Sequence, residues 1–285
     1  MPWTSEHLKW LTDTGTRIAT ADGKTAEVWE FNHKPDDKTL SAWAKHFRNH
    51  YCQDTDIDAL KSPRQSRKDY LTDIKFPSKV SKLGPGIRAG DFGEILVADY
   101  LQYVLGFWVP RVRWASKIVC DESAKGSDVI GLKQHKEEPS SKDILFVFEA
   151  KTKFSNSTNN RLQDAINDSA KDHLRLGESL NFIKQKSFEK GNTTEVQYVG
   201  RFQNPTDIPY KQVFGAAAFI SNEFYDTNEI IGADCCKIPK SKPRKNKKVE
   251  YIGHPFKDDL VLVIIKGPNM MALVHELYRR AADEA

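Results

Sequence analysis

Residues 144 to 148, Ile-Leu-Phe-Val-Phe, are apolar without a break and run straight into Glu149-Ala150-Lys151. Five consecutive apolar residues with no polar position describe a strand covered on both faces. Strand side chains alternate, so Glu149 and Lys151 leave the same face. Charges at the end of a buried strand need a partner, a metal or a substrate. Upstream, Lys125-Gly126-Ser127-Asp128 leads an acid into a second apolar run.

Periodicity around this strand predicts the remaining elements. Residues 1–83 read as an accessory N-terminal α+β region and 84–285 as the main domain, with its core over about 84–220 and a closing strand and helix over 259–282. In the first part, 25–31 is a strand, and Asp36 or Asp37 caps a helix with Leu40, Trp43, Ala44, Phe47 and Tyr51 on one face. His46 and His50 sit one turn apart there, at the spacing of a two-ligand metal site. Phe47 stands where the HExxH pattern needs glutamate, so a polar helix face is the simpler reading. Arg64, Arg67 and Lys68 lie in a basic stretch and are candidate phosphate contacts.

A helix over about 88–105 follows, and Gly90 and Gly93 in its first turns imply close backbone approach beside Glu94. Strands are expected over 108–114, 128–132 and 144–151, then a helix over 159–175 with Leu162, Ala165, Ile166 and Leu174 inward. Strands over 213–220 and 260–265 and a helix over 270–282 complete the chain.

The longest apolar run, 260–265, is too short to span a bilayer, and the first residues lack a signal-peptide pattern; a cytoplasmic location is expected. Cys52, Cys120, Cys235 and Cys236 form neither a disulfide framework nor a CxxC pair. Gly23-Lys24-Thr25 lacks the upstream glycine of a P-loop, so no ATPase site is expected. Formal charge is only +4, yet residues 237–248 hold seven basic side chains and no acid, leaving the remainder net acidic. Lys240, Lys242, Arg244, Lys245, Lys247 and Lys248 are therefore candidate nucleic-acid contacts, with a solvated loop as the alternative.

In its order α-β-β-β-α-β, with an acid entering one strand and Glu-x-Lys ending the next, the chain resembles the PD-(D/E)xK nuclease superfamily over about residues 84–220. Acid-x-Lys also occurs at 22–24, 36–38 and 73–75, but only 149–151 ends an apolar run with Asp128 upstream. The resemblance implies an α/β (mixed α+β) restriction-endonuclease-like core with a mixed central sheet flanked by helices. It further implies a Mg²⁺-dependent deoxyribonuclease, with Mn²⁺ as a substitute, in which Asp128, Glu149 and the Ala150 carbonyl hold the metal. Lys151 would orient the attacking water or stabilise developing charge, and Glu94 would act with them or bind a second metal; Gln163 is a weaker ligand candidate.

The stretches Arg88-Ala-Gly-Asp-Phe-Gly-Glu94, Lys125-Gly-Ser-Asp128 and Phe148-Glu-Ala-Lys151 carry a narrower resemblance, to the HamA family, nuclease subunits of the Hachiman anti-phage defence system. This implies DNA as substrate, a HamB-like helicase partner that restrains the nuclease, and no membrane. Two other readings share the residues: a non-catalytic nucleic-acid-binding or partner-docking subunit on a nuclease-like fold, and a sequence-specific restriction or transposition endonuclease.

Overall fold

The computed structural model describes residues 3–240 and 249–285. The N-terminal stretch comprises β1 (Leu11–Ala19), β2 (Thr25–Phe31), α1 (Asp37–Tyr51) and the single turns α2 (Ile57–Leu60) and α3 (Arg67–Tyr70). There follow α4 (Gly84–Asp99), β3 (Val129–Lys133), β4 (Ile144–Lys153), α5 (Arg161–Glu189), α6 (Thr193–Gly200) and β5 (Lys211–Ser221). The chain closes with α7 (Thr227–Ile231), β6 (Ile238–Pro239), β7 (Tyr251–Ile252), β8 (Leu260–Gly267) and α8 (Met270–Asp283).

Six strands make one mixed sheet in the order β1-β2-β8-β5-β4-β3, while β6 and β7 pair separately. The four central strands run parallel and the two outer strands are antiparallel to their neighbours. Along β4 the alternation sorts side chains into two cores. Phe146, Phe148 and Ala150 join Phe92 and Ile95 of α4 on one side. Leu145 and Val147 join Leu162, Ala165 and Ile166 of α5 on the other. Glu149 and Lys151 share the parity of Leu145 and Val147, so they leave the sheet toward α5.

The first 83 residues are joined to the rest by strand pairing and by packing. β2 is hydrogen-bonded to β8, with Ala26 opposite Leu262 and Glu30 opposite Lys266. Trp43, Phe47 and Tyr51 of α1 are buried in the same cluster as Phe92 and Tyr278. No described helix is long and apolar enough to cross a membrane.

Three expectations are corrected. The strand over 108–114 reduces to a single bridge between Trp108 and Leu132 and a 3₁₀ turn over Trp114–Ser116. Pro110 lacks a donor there, and Arg111 and Arg113 turn their side chains into buried ion pairs instead of laddering. The helix over 159–175 is much longer, Arg161–Glu189, because Leu176, Leu180 and Ile183 continue its buried stripe while the less buried Phe182 and Phe188 blur the pattern. Leu174, expected inward, is 77% exposed.

Candidate active site

The site is assembled where β3 begins and β4 ends. Val129 pairs with Phe148, which places Asp128 just beyond the ladder beside Glu149. Asp128 Oδ2 accepts the Ala150 N–H at 3.2 Å. A strand residue directs its N–H and C=O to the same side, so the Ala150 carbonyl faces this gap past the end of β3, where no strand pairs with it. Lys151 Nζ donates to Glu149 Oε1 and lies 2.9 Å from Asp168 Oδ2 on α5. α5 is started by Asn160, whose side chain accepts the Gln163 N–H, and it is held to the site loop by Ser179 Oγ, which accepts the Ser127 N–H at 3.2 Å.

Arg113 organises the loop before Asp128. Its Nε donates to Glu94 Oε2 at 3.0 Å and its Nη2 to Asp128 Oδ1 at 2.9 Å. The remaining donors go to the carbonyls of Ala124, Lys125 and Ser127, so all five N–H groups are satisfied. Gly126, at φ +97°, supplies the left-handed turn that aims these carbonyls at one guanidinium. Gly93 provides the close approach of α4: a Cβ there would lie 2.8 Å from Thr152 Cγ2. Gly90 meets nothing within 4 Å.

Glu94, Asp128, Glu149, Asp168 and Asp172 surround Arg113 and Lys151, and burial raises an acid on each side of the sheet. Burial pushes Glu94 up to about 8, with Asp128 and Asp91 adding to it and Arg113 opposing. Burial and Asp128 likewise hold Glu149 well above the usual carboxylate range, against Lys151. Burial works against the Lys151 ammonium, yet Glu149, Asp128 and Asp168 outweigh it and raise its pKa.

Asp172 was not singled out from sequence. It is completely buried, and burial together with Asp128 lifts it to about 7. Arg175 Nε at 3.4 Å and Ser127 lie beside it, but neither of its oxygens accepts a hydrogen bond in good geometry. The available signal was the spacing of Asp164, Asp168 and Asp172 at four-residue intervals, which lines them along one helix face. The donor set of Asp128, Glu149 and the Ala150 carbonyl is hard oxygen, with further buried acid nearby in Asp172, and it fits a divalent cation such as Mg²⁺.

Other expected residues lie elsewhere. Gln163 is engaged with the backbone of Asp234 and with Asn167, away from this role. His46 and His50 are buried rather than on a solvated face. Among the described residues, ligand atoms of His46, His50 and Asp99 converge, as do those of Asp22, Asp234 and Cys236. Each group already holds a cationic side chain: Arg111 Nη2 is 2.6 Å from Asp99, and Lys257 Nζ is 2.9 Å from Asp22. Burial opposes it, but His46 and Arg111 keep Asp99 well below the carboxylate range. Arg67 and Lys68 pair with Asp58 and Asp283, Lys240 with Glu250, and Arg64 is exposed with φ +68°. Lys242, Arg244, Lys245, Lys247 and Lys248 lie outside the described residues.

A family model for HamA matches residues 5–281. Over 104 residues the chain is 29% identical to the Hachiman protein HamA of Bacillus cereus, a match covering 36% of this chain and 35% of that relative. With the family model matched across nearly its whole length, the chain belongs to the HamA family.

Proposed function

We propose that the chain is a metal-dependent DNA nuclease that acts as an effector of anti-phage defence alongside a helicase partner. The observation that carries the reading is the junction of Asp128, Glu149 and Lys151 at the open end of β4, on the face turned to α5. The order α4-β3-β4-α5-β5 around that junction supports a PD-(D/E)xK type of core. The name of the Bacillus cereus relative supports the defence setting.

Asp128, Glu149 and the Ala150 carbonyl would hold Mg²⁺, which when bound neutralises phosphoryl charge and acidifies water. Lys151, held charged by its three carboxylate neighbours, presents an ammonium to the charge that builds on the phosphorane oxygens or to the attacking water. Arg113 fixes Asp128 and keeps Glu94 on the α4 side, so the loop carrying Asp128 holds its place when substrate arrives. A cavity of about 400 Å³ opens beside Asp128, walled by Val112, Trp114, Ile118, Phe182 and Ile183, and offers room for the nucleotide next to the reacting phosphate.

The test is degradation of plasmid and linear DNA by the purified protein, alone and with its partner, in Mg²⁺ and in EDTA. Glu149→Gln and Lys151→Ala are expected to cut at least about 100-fold more slowly while keeping the parent's circular dichroism. Cleavage at the parent's rate by both variants would sink the assignment.

A further inference from the structure

We propose that Asp168 is a positioning residue for Lys151: it takes the ammonium over from Glu149 when a cation occupies the strand end, and so frees Glu149 to act as a ligand. The inference rests on the nuclease reading of this site. The Lys151 ammonium lies between two carboxylates, donating to Glu149 Oε1 and standing 2.9 Å from Asp168 Oδ2. Among the described residues these two acids are its ion-pair partners.

Glu149 is a poor ligand while it holds that ammonium. A Mg²⁺ ligand lies at about 2.1 Å from its ion, so an ion on Oε1 would stand within about 5 Å of Nζ, and two cations that close in a buried site repel strongly. The Glu149 side chain is 5% exposed, so little water screens the pair. The ammonium has to move, and a largely buried lysine that loses one carboxylate needs another.

Asp168 is placed to receive it. It sits on α5, the helix toward which strand parity sends Lys151. Its other oxygen, Oδ1, accepts from Lys171 Nζ at 2.7 Å, one turn along the helix, which fixes the carboxylate with Oδ2 turned to Lys151. Burial opposes ionisation, but Lys151 and Lys171 keep Asp168 below its ordinary value, whereas burial and Asp128 push Glu149 above its own. Asp168 thus offers the firmer negative charge. Its side chain is 37% exposed, so a pair formed there is partly hydrated. The proton stays on Lys151 throughout, and only its partner changes.

Mn²⁺ binding to the full-length protein without DNA, read from the electron paramagnetic resonance of the free ion, tests this as a double-mutant cycle with Lys151. Asp168→Asn leaves the ammonium on Glu149 and is expected to weaken Mn²⁺ binding about 10-fold, as loss of a residue that supports a metal ligand does, with far-ultraviolet circular dichroism unchanged. Asp168→Glu, which keeps the charge, should recover most of that affinity. In a Lys151→Ala background there is no ammonium to hold, and Asp168→Asn should change the affinity by less than about 2-fold. An Asp168→Asn protein that binds as tightly as the parent overturns the proposal. So does a loss of the same size with and without Lys151, because Asp168 would then act on the ion directly, and so does a parent that binds no Mn²⁺. Cleavage in Mg²⁺, measured on the same samples, separates the two claims. A parent that cuts DNA with an Mn²⁺ affinity indifferent to Asp168 leaves the nuclease reading standing and removes this one. A parent that shows the full cycle and never cuts DNA does the reverse.

Discussion

Glu94 shows how one buried acid couples the site to pH. In the folded protein its pKa stands near 8, against an ordinary glutamate value in the unfolded chain, and Asp172 moves the same way to about 7. The folded state therefore keeps protons that the unfolded chain has released. That contribution to stability is complete below the usual carboxylate range and is lost as pH rises through about 8. His7 and His50 are lowered by burial, so their effect falls on the acid side and leaves this window clear. In EDTA, the melting temperature is expected to fall between pH 7 and pH 9, and Glu94→Gln should flatten that slope. A melting temperature that rises over this range would contradict the account. The residue pair Glu149 and Lys151 was legible from sequence because alternation needs only a strand. Arg113 was not, since three of its five partners are carbonyls of an irregular loop that no periodicity announces.

At the level of elements, α4 reaches the sheet through Gly93. A Cβ at that position would come within 2.8 Å of Thr152 Cγ2 and 3.4 Å of the Phe219 ring. Gly93→Ala is expected to cost about 1–3 kcal/mol in urea unfolding, as overpacking does, and to slow DNA cleavage by shifting Glu94 and, through Arg113, Asp128. Unchanged stability and activity would show that α4 does not set this geometry. Gly90 looks the same in the sequence yet meets nothing, because what separates the two glycines is a threonine on β4 far along the chain. Helices α1, α4 and α8 and the buried strands β4, β5 and β8 were readable from local pattern, whereas β1, α6 and the second half of α5 were not. The segment 108–114 was not, because β-like composition there serves buried arginines rather than a ladder.

Across the whole molecule, the site depends on strands that are distant in sequence. Pairing of β2 with β8 and of β8 with β5 was invisible in the sequence, since nothing local tells a buried strand which neighbour to choose. A buried polar line reinforces the join: Tyr51 on α1 donates to Asp91 at 2.7 Å and meets Tyr278 on α8, while Lys117 Nζ lies 2.6 Å from the same Asp91, one turn before Glu94. Among the described residues, ligand-bearing side chains gather in three places, and the proposed cation belongs to the one at the end of β4. The most direct measurement is anomalous scattering from crystals of the full chain soaked in Mn²⁺. The account predicts density at the end of β4, beside Asp128, Glu149 and the Ala150 carbonyl. Peaks confined to His46, His50 and Asp99, or to Asp22, Asp234 and Cys236, would contradict it.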